Sequence, residues 1–442
     1  MELQALRALL QEKGIVGAGG AGFPTYAKLS EKADTIVLNC AECEPLLKLH
    51  QQLLEQHAPE ILSTITIVAT AMGVENVIIG VKREYESTVQ AVKEQLSGYP
   101  NIKLCLLDSV YPTGDEVVLI YETTGRVVRP GGLPIEAGVV VFNAETMYNT
   151  YCAIDHQKPV VDKRITITGE VANPISVKVP LGMTMEEVVA LAGGVTVKDP
   201  VYLIGGSMMG RIGSAKQPVT KTTNAIIVLP SEHNLVLSRT ASSSIQLKRA
   251  ASICCQCQSC TDLCSRHALG HPIEPHLFMR AAANRDFSNQ EVFINTMFCS
   301  GCGICELYAC PQSLSPRSLI ATYKAGLRQA GVKVPTDVVA ADVAESRQYR
   351  LIPEQRLEAR IGLGKYKQEA VCCKVQAKPE RVKLLFSQHI GAPAVPIVAK
   401  GDVVKAGDLL AKQGDGLSVP VHASIDGTVL DVTPQFAIII KN

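Results

Sequence analysis

Residues 14–28 read GIVGAGGAGFPTYAK and hold five glycines within nine positions. Closely spaced glycines expose backbone N–H groups, which a phosphate or a flavin can approach without meeting a Cβ atom. The loop follows a short helical segment, whereas the standard dinucleotide fingerprint lies between a strand and a helix. On its own the loop therefore fits either a tight turn or a nucleotide-binding loop.

The segments that follow this loop alternate between strand and helix. Four short apolar runs predict buried strands, namely TIVLN (35–39), NVIIGV (76–81), IKLCLL (102–107) and GVVVFN (138–143). Residues 84–96, between two of these runs, predict a helix. Such alternation predicts a parallel sheet with helices on its faces. We therefore expect a Rossmann-like α/β domain over residues 1–160, the N-terminal region.

The rest of the chain changes character several times, so the predicted fold class is multidomain α/β. In the middle region (161–232), alternating strands and a short helix that begins after Thr184 predict a small α+β domain. The cysteine region (245–325) holds nine of the 15 cysteines in a sequence compatible with helices. The connector (326–379) is charged and predicts helix. The C-terminal region (380–442) predicts short strands separated by Gly-Asp turns.

Composition excludes several classes of protein. The 43 Lys and Arg nearly balance the 42 Asp and Glu, which argues against a nucleic-acid partner held by phosphate attraction. No apolar run is long enough for a membrane span, and the first 14 residues lack a secretory signal pattern. A cytoplasmic location is therefore expected, where many cysteines indicate metal or redox chemistry. Leu3, Leu6 and Leu10 fit a core-packing helix or a targeting peptide.

Eight of the cysteines form two closely spaced motifs. The first follows C-x2-C-x2-C-x3-C at Cys254, Cys257, Cys260 and Cys264, and the second follows C-x2-C-x2-C-x4-C at Cys299, Cys302, Cys305 and Cys310. Such spacing is typical of [4Fe–4S] clusters, and in paired motifs the fourth cysteine usually ligates the other cluster. We therefore assign Cys310 to the first cluster and Cys264 to the second. The alternative, structural zinc, prefers pairs of ligands separated by a longer gap.

Three later motifs give the glycine loop a context. They are NCAECEP (39–45), YPTGDE (111–116) and FNAET (142–146). In this order the four motifs resemble the flavin-binding domain found in the NADH-binding subunit of respiratory complex I and in the RnfC protein of the Rnf complex. The resemblance implies an FMN site with NADH bound over it.

The resemblance also implies which residues bind these two ligands. The loop would hold the phosphates through Gly17, Gly19, Gly20, Gly22 and Lys28. The isoalloxazine and nicotinamide would lie against Asn39, Glu42 and Glu44. The opposite wall would be formed by Tyr111, Gly114, Asp115 and Glu116. The ribityl and phosphate end would be bound by Asn143, Glu145 and Thr146. Ala18 and Ala41 depart from the complex I pattern, which has an arginine and an acid there.

The remaining regions resemble modules of the same family. The middle region resembles an SLBB β-grasp domain, the cysteine region a helical dicluster ferredoxin domain, and the C-terminal region the barrel-sandwich domain of RnfC. In RnfC the barrel-sandwich domain lies at the N-terminus. The permuted order seen here resembles the PduS family of cobalamin reductases. A lipoyl or biotin carrier, the alternative for the C-terminal region, needs a lysine at a hairpin tip that QGDGLSVPVHAS (413–424) lacks.

The resemblance to the PduS family implies an NADH-dependent reductase. Electrons would pass from NADH through FMN and two [4Fe–4S] clusters to cobalamin, for coenzyme recycling in 1,2-propanediol utilisation. An adenosyltransferase and shell proteins of a bacterial microcompartment are the implied partners, and the microcompartment is the implied location. The alternatives are an electron-transfer component of an Rnf-like complex, which reduces a ferredoxin or another protein, and a cluster-bearing structural protein. His267, His271 and His276 are expected to be structural rather than cobalt ligands.

Overall fold

A parallel sheet forms the centre of the N-terminal region in the computed structural model, which describes residues 1–375 and 377–442. The strands of this region are β1 (Thr35–Cys40), β2 (Asn76–Lys82), β3 (Ile102–Leu107), β4 (Val110–Tyr111) and β5 (Val139–Asn143). Four of them form one sheet in the order β3-β2-β1-β5, and every neighbouring pair is parallel. The predicted α/β fold of this region is confirmed.

Seven α-helices connect or cover these strands. They are α1 (Leu3–Glu12), α2 (Thr25–Lys28), α3 (Leu49–Gln56), α4 (Ala58–Met72), α5 (Glu86–Gln95), α6 (Glu116–Thr124) and α7 (Ala144–His156). Leu3, Leu6 and Leu10 of α1 are buried in the main hydrophobic core. The leucine spacing of this helix therefore reflects core packing. Among the residues that the structure describes, no helix is long and apolar enough to cross a membrane.

The middle region is a mixed sheet with one helix. It contains β6 (Asp162–Gly169), β7 (Ile175–Pro180), α8 (Met185–Ala190), β8 (Pro200–Ile204), β9 (Arg211–Gly213) and β10 (Ala225–Pro230). Helix α8 begins at Thr184, whose hydroxyl accepts a hydrogen bond from Glu187 N at 3.3 Å. The Glu187 carboxylate accepts one from Thr184 N at 2.8 Å in return. This reciprocal capping box explains where the helix begins.

The cysteine region consists of short helices joined by loops that carry the cysteines. Helix α9 (Asn234–Thr240) precedes the region. The helices that lie in it or overlap its ends are α10 (Ser243–Ile253), α11 (Ser259–Asp262), α12 (Ser265–Ala268), α13 (Pro275–Asn284), α14 (Glu291–Ile294), α15 (Ile304–Leu307) and α16 (Pro316–Gln329). Phe278 packs edge-on against Phe293 and Tyr323, with ring centroids 6.0 and 5.2 Å away. These aromatic contacts fix the positions of α13 and α16, and so of the loops between the helices.

The connector differs from the predicted helix. Only α17 (Glu354–Arg360) is an α-helix that begins within its described residues, and two short strands flank it, β11 (Ile352–Pro353) and β12 (Val371–Cys373). Strand β11 pairs with β4, and β12 adds a sixth strand to the sheet of the middle region beside β7. The connector was predicted to be helical over 326–379, but most of its described residues are not in α-helices; residue 376 lies outside the described residues. Strand edges in other regions pair with two of its extended segments, an influence that local sequence does not carry.

The C-terminal region is all-β. Its strands are β13 (Arg381–Leu385), β14 (Val395–Pro396), β15 (Val403–Val404), β16 (Leu409–Lys412), β17 (Val421–His422), β18 (Gly427–Val432) and β19 (Phe436–Ile440). They form two sheets, in the orders β13-β19-β18-β15 and β14-β16-β17. Leu384, Phe386 and Ile439 belong to the same hydrophobic cluster as the cores of the N-terminal and middle regions. These three regions therefore share one continuous core.

This shared core leads to a stability prediction. Phe386 is fully buried, whereas Phe287 is 57 % exposed. We expect Phe386→Ala to lower the free energy of unfolding by about 3–5 kcal/mol, because it removes buried apolar surface and leaves a cavity. Phe287→Ala serves as the control and should change it by less than about 1 kcal/mol. Anaerobic urea unfolding monitored by circular dichroism measures both, and equal midpoints would contradict the shared core.

Candidate functional site

The glycine loop lies at the carboxyl ends of the parallel strands, where open α/β sheets bind their ligands. Ala18 N donates a hydrogen bond to Thr146 Oγ1 at 3.1 Å. The Thr146 hydroxyl in turn donates to Asn143 Oδ1 at 2.6 Å. Asn143 ends β5 and caps helix α7. The structure thus brings the loop together with two residues of the FNAET motif, as the resemblance implied.

The middle of the glycine loop is exposed and lies beside polar groups that a ligand could bind. Gly19 and Gly20 are exposed, and a Cβ atom at Gly19 would clash with the Asn143 amide and lie 3.0 Å from His50 Cε1. His50 Nε2 is buried and has no hydrogen-bond partner among the described residues. Burial lowers the pKa of His50 to about 4, so the ring is neutral at pH 7. Backbone N–H groups, an amide and this ring nitrogen fit the polar atoms of FMN.

The NCAECEP and YPTGDE motifs hold each other in place beside the loop. Asn39 Nδ2 donates to Gly114 O at 3.0 Å, and Ala41 N donates to Asn39 Oδ1 at 3.1 Å. Gly114 N lies 3.3 Å from Cys43 Sγ. A Cβ atom at Gly114 would lie 3.0 Å from the same sulfur. Cys43 therefore contributes to the packing of the two motifs.

A buried carboxylate lies beneath the site. Glu42 accepts a hydrogen bond from His50 N at 2.9 Å, and burial raises the pKa of Glu42 to about 7. The nearby charges of Lys82 and Lys163 act against this rise. Lys82 forms a buried ion pair with Glu354 of the connector. The floor of the site is therefore a set of buried charges, drawn partly from outside the N-terminal region.

Several of the predicted ligand residues bind other residues of the chain. Glu145 forms a buried ion pair with Lys163 of the middle region. Glu44 accepts hydrogen bonds from Met208 N at 2.8 Å and Met209 N at 2.9 Å. Lys28 Nζ lies 3.1 Å from both the Glu116 carboxylate and Val141 O. The roles of Glu44 and Glu145 in ligand binding stay predictions.

The YPTGDE motif also forms the junction with the cysteine region. Tyr111 Oη donates to the backbone carbonyl of Cys302 at 2.6 Å. Asp115 pairs with Arg266 Nη2, which lies 2.8 and 2.9 Å from its two carboxylate oxygens. The same Asp115 accepts from Val117 N at 3.0 Å and so caps helix α6. One short motif therefore connects the edge of the parallel sheet to the loops that carry the cysteines.

The eight motif cysteines fall into two groups. Burial, followed by the charges of three nearby thiols, raises the pKa of Cys260 to about 12; those thiols are Cys310, Cys254 and Cys257. Burial also raises the pKa of Cys302 to about 12, with Cys264 and Cys299 adding to the effect. Burial also raises the pKa of Cys305, with the nearby thiols Cys299, Cys302 and Cys264 adding to the effect. We call Cys254, Cys257, Cys260 and Cys310 the outer group and Cys264, Cys299, Cys302 and Cys305 the inner group.

The two groups differ in their surroundings. The outer group lines an open surface pocket, and Cys257 is exposed. The inner group is more enclosed, with Cys302 and Cys305 buried. Lys324 Nζ donates to Cys299 O at 2.8 Å, which places a cation beside the inner group in addition to Arg266. Among the residues that the structure describes, no three His, Cys, Asp or Glu side chains are positioned to hold a single metal ion.

Family models match four parts of the chain. The Nuo51 FMN-binding domain matches residues 10–152 and the SLBB domain residues 164–212. The 4Fe-4S dicluster domain matches residues 253–315. The RnfC barrel sandwich hybrid domain matches residues 361–441. The four predicted domain types are confirmed, and with them the assignment of FMN and [4Fe–4S] clusters as cofactors.

Two relatives that match this chain over nearly their full length show which family it belongs to. The chain is 40 % identical to cobalamin reductase PduS of Citrobacter freundii, with 100 % of the chain and 97 % of the relative covered. It is also 40 % identical to cobalamin reductase PduS of Salmonella typhimurium, over 99 % of the chain and 96 % of the relative. The chain belongs to the PduS family. Its fold class and its membership of this family were both predicted from the sequence motifs.

More distant relatives share parts of the PduS architecture. An RnfC-type protein, from the Na(+)-translocating ferredoxin:NAD(+) oxidoreductase complex of Acetobacterium woodii, is 30 % identical over 60 % of this chain and 59 % of the relative. Among solved structures, the NAD+-reducing [NiFe]-hydrogenase in its air-oxidized state matches with a TM-score of 0.50 and 19 % identity. That match covers 85 % of this chain and 68 % of the hydrogenase chain, and it indicates a shared fold only.

Several residues of the site lie outside the sequence motifs. His50, Lys82 and Arg266 were not predicted, although Lys82 gives a signal, since a lysine ends an otherwise apolar strand. Arg266 follows Cys264 by two positions, yet nothing in the sequence pairs it with Asp115. His50 carries no signal at all, because only the folded chain places it under Gly19.

The junction leads to a prediction about Asp115. The Asp115 and Arg266 side chains are only 12 % and 15 % exposed. Asp115→Asn keeps a helix cap but leaves Arg266 without its counter-charge, so we expect the free energy of unfolding to fall by about 3 kcal/mol. Glu116→Gln breaks the more exposed pair with Lys28 and should cost less than about 1 kcal/mol. Anaerobic urea unfolding compares the two variants, and equal costs would contradict the junction.

The thiol groups lead to a prediction about iron content. The purified wild-type protein should hold about eight iron atoms per chain, and Cys257→Ser should lose about four. Cys255, an exposed thiol two positions away, provides the matched control, and Cys255→Ser should retain all of them. Iron analysis together with EPR of the reduced protein measures this. Equal losses in the two variants would contradict the assignment of Cys257 as a ligand.

Proposed function

We propose that this chain is an NADH-dependent cobalamin reductase that passes electrons through FMN and two [4Fe–4S] clusters, taking cob(III)alamin to cob(II)alamin and cob(I)alamin. The observation that carries the proposal is 40 % identity to cobalamin reductase PduS over the full length of both chains. The FMN-binding and dicluster matches supply the two kinds of redox centre such a reaction needs. When bound, FMN accepts an electron pair and releases single electrons to the clusters.

The residues of the chain provide binding and orientation. Gly19 and Gly20 offer backbone N–H groups, and Asn143 and the neutral His50 offer polar atoms beside them. Glu42 accepts a hydrogen bond from His50 N, and burial raises the pKa of Glu42 to about 7. The hydrogen bond from Asn39 to Gly114 keeps the neighbouring wall in place. These contacts support a site that orients FMN at the sheet edge.

The order of the thiol groups supports transfer outward. The inner group contacts the N-terminal region through Cys302 and through Arg266, which follows Cys264. The outer group opens to solvent. Positive charges beside the inner group favour a reduced, more negative cluster there. The inner group therefore suits acceptance from the flavin side, and the outer group suits delivery to an acceptor.

We extend the proposal to location and partners. A role in cobalamin recycling for 1,2-propanediol utilisation calls for a cytoplasmic protein inside a bacterial microcompartment. An adenosyltransferase would use the reduced cobalamin, and shell proteins would surround the pair. Support for this part comes from the family relationship.

The second candidate function is electron transfer to a protein. Thirty per cent identity to the RnfC-type protein of the Acetobacterium woodii ferredoxin:NAD(+) oxidoreductase complex, over 60 % of the chain, favours it. In that case the outer group would deliver electrons to a ferredoxin or a similar partner. The two candidates share the path up to the outer group and differ only in the acceptor.

An anaerobic assay with NADH separates the candidates. With NADH and hydroxocobalamin, we expect the absorbance spectrum of cob(II)alamin to appear, and cob(I)alamin to follow when an alkylating trap withdraws it. Protein stripped of flavin is the control and should give no reduction until FMN is restored. Oxidation of NADH with added ferredoxin, but with no change in the cobalamin spectrum, would contradict the first candidate and support the second.

A further inference from the structure

A buried lysine from the middle region lies at the start of the glycine loop. The Lys221 side chain is 1 % exposed. Its ammonium donates to Gly14 O at 2.8 Å and to Pro420 O at 3.1 Å. Within residues 1–375 and 377–442, no carboxylate lies within ion-pair distance of it. Burying a lysine without a counter-charge costs free energy because the ammonium loses its water. Here the hydrogen bonds to two backbone carbonyls offset part of that cost.

The fit around Lys221 is tight. Gly14 has a left-handed φ of +67°, and a Cβ atom there would lie 2.6 Å from Lys221 Nζ and 2.9 Å from Pro420 O. Lys221 N donates to Gln388 Oε1 at 3.0 Å, and Gln388 Nε2 donates to Leu385 O at 2.8 Å. The backbone N–H of Lys221 therefore binds Gln388 of the C-terminal region. Its side chain binds both the glycine loop, at Gly14, and the C-terminal region, at Pro420.

The far end of the loop contacts the same region. Ile390 N donates to Gly22 O at 3.3 Å, and a Cβ atom at Gly22 would lie 2.8 Å from Thr222 Cγ2 and 3.1 Å from His389 Cα. Between these two fixed ends, Gly19 and Gly20 remain exposed. The loop thus has two anchored ends and an accessible middle, a geometry that pre-organises its N–H groups for a ligand.

We propose that Lys221 is a positioning residue for the nucleotide loop, through which the C-terminal β region sets the affinity of the N-terminal region for FMN. This inference rests on the proposed function, since it takes FMN to be the ligand of the loop. It assigns to the C-terminal region a role in flavin retention, although none of its residues lies in the four motifs.

Flavin titration of the full-length protein tests this proposal. FMN is removed, and its rebinding is followed by quenching of flavin fluorescence in wild type, Lys221→Met and Lys216→Met. Lys216 is an exposed lysine of the same segment and is the matched control. We expect Lys221→Met to raise the Kd for FMN by about tenfold or more and Lys216→Met to leave it within about twofold. With saturating FMN, Lys221→Met should regain the wild-type kcat for NADH:ferricyanide reduction.

The outcomes separate this proposal from the proposed function. Wild-type protein that does not bind FMN overturns both. Wild-type binding together with an unchanged Kd in Lys221→Met overturns the Lys221 assignment alone. Loss of iron–sulfur EPR signals along with FMN in Lys221→Met also overturns it, because that result indicates general misfolding rather than loop positioning. If Lys221→Met does not fold, Gln388→Leu replaces it, and wild-type FMN affinity in that variant overturns the proposal.

Discussion

The ion pair between Asp115 and Arg266 joins the two halves of the redox path. One carboxylate caps α6 beside the sheet edge and binds the guanidinium that follows the inner thiol Cys264. Beside it, Tyr111 donates to the carbonyl of Cys302. Electron transfer needs centres held at a short and constant separation, and these contacts are nearly excluded from water. The relative position of the flavin loop and the inner thiol group depends on them.

The other regions support this junction from several sides. The connector supplies Glu354 to Lys82 and a strand that pairs with β4, directly before the YPTGDE loop. The middle region supplies Lys163 to Glu145 and the backbone amides that bind Glu44. Buried ion pairs add little net stability but cost several kcal/mol when one partner is removed. They therefore favour one arrangement of the regions over others.

The C-terminal region is far from the glycine loop in the sequence but contacts it in the fold. In the sequence it is separated from the glycine loop by more than 350 residues, yet Lys221, Gln388 and Ile390 place it at both ends of that loop. Its apolar side chains enter the same core as those of the N-terminal region. A module that is distant along the chain therefore lies beside the glycine loop in the fold.

The amino-acid sequence by itself determined the parallel sheet and the eight motif cysteines, because short-range periodicity and spacing carry that information. The four module types came from the resemblance of its motifs to a known family. The paired motifs also predict that Cys264 and Cys310 ligate opposite clusters, and the grouping of the thiols supports that prediction. Only the tertiary structure decided that the connector completes two sheets, that His50 lies under Gly19, and that Glu44 and Glu145 bind the middle region. The reason is physical: strand-edge pairing and the burial of charges depend on which distant segments meet, and no local pattern specifies that.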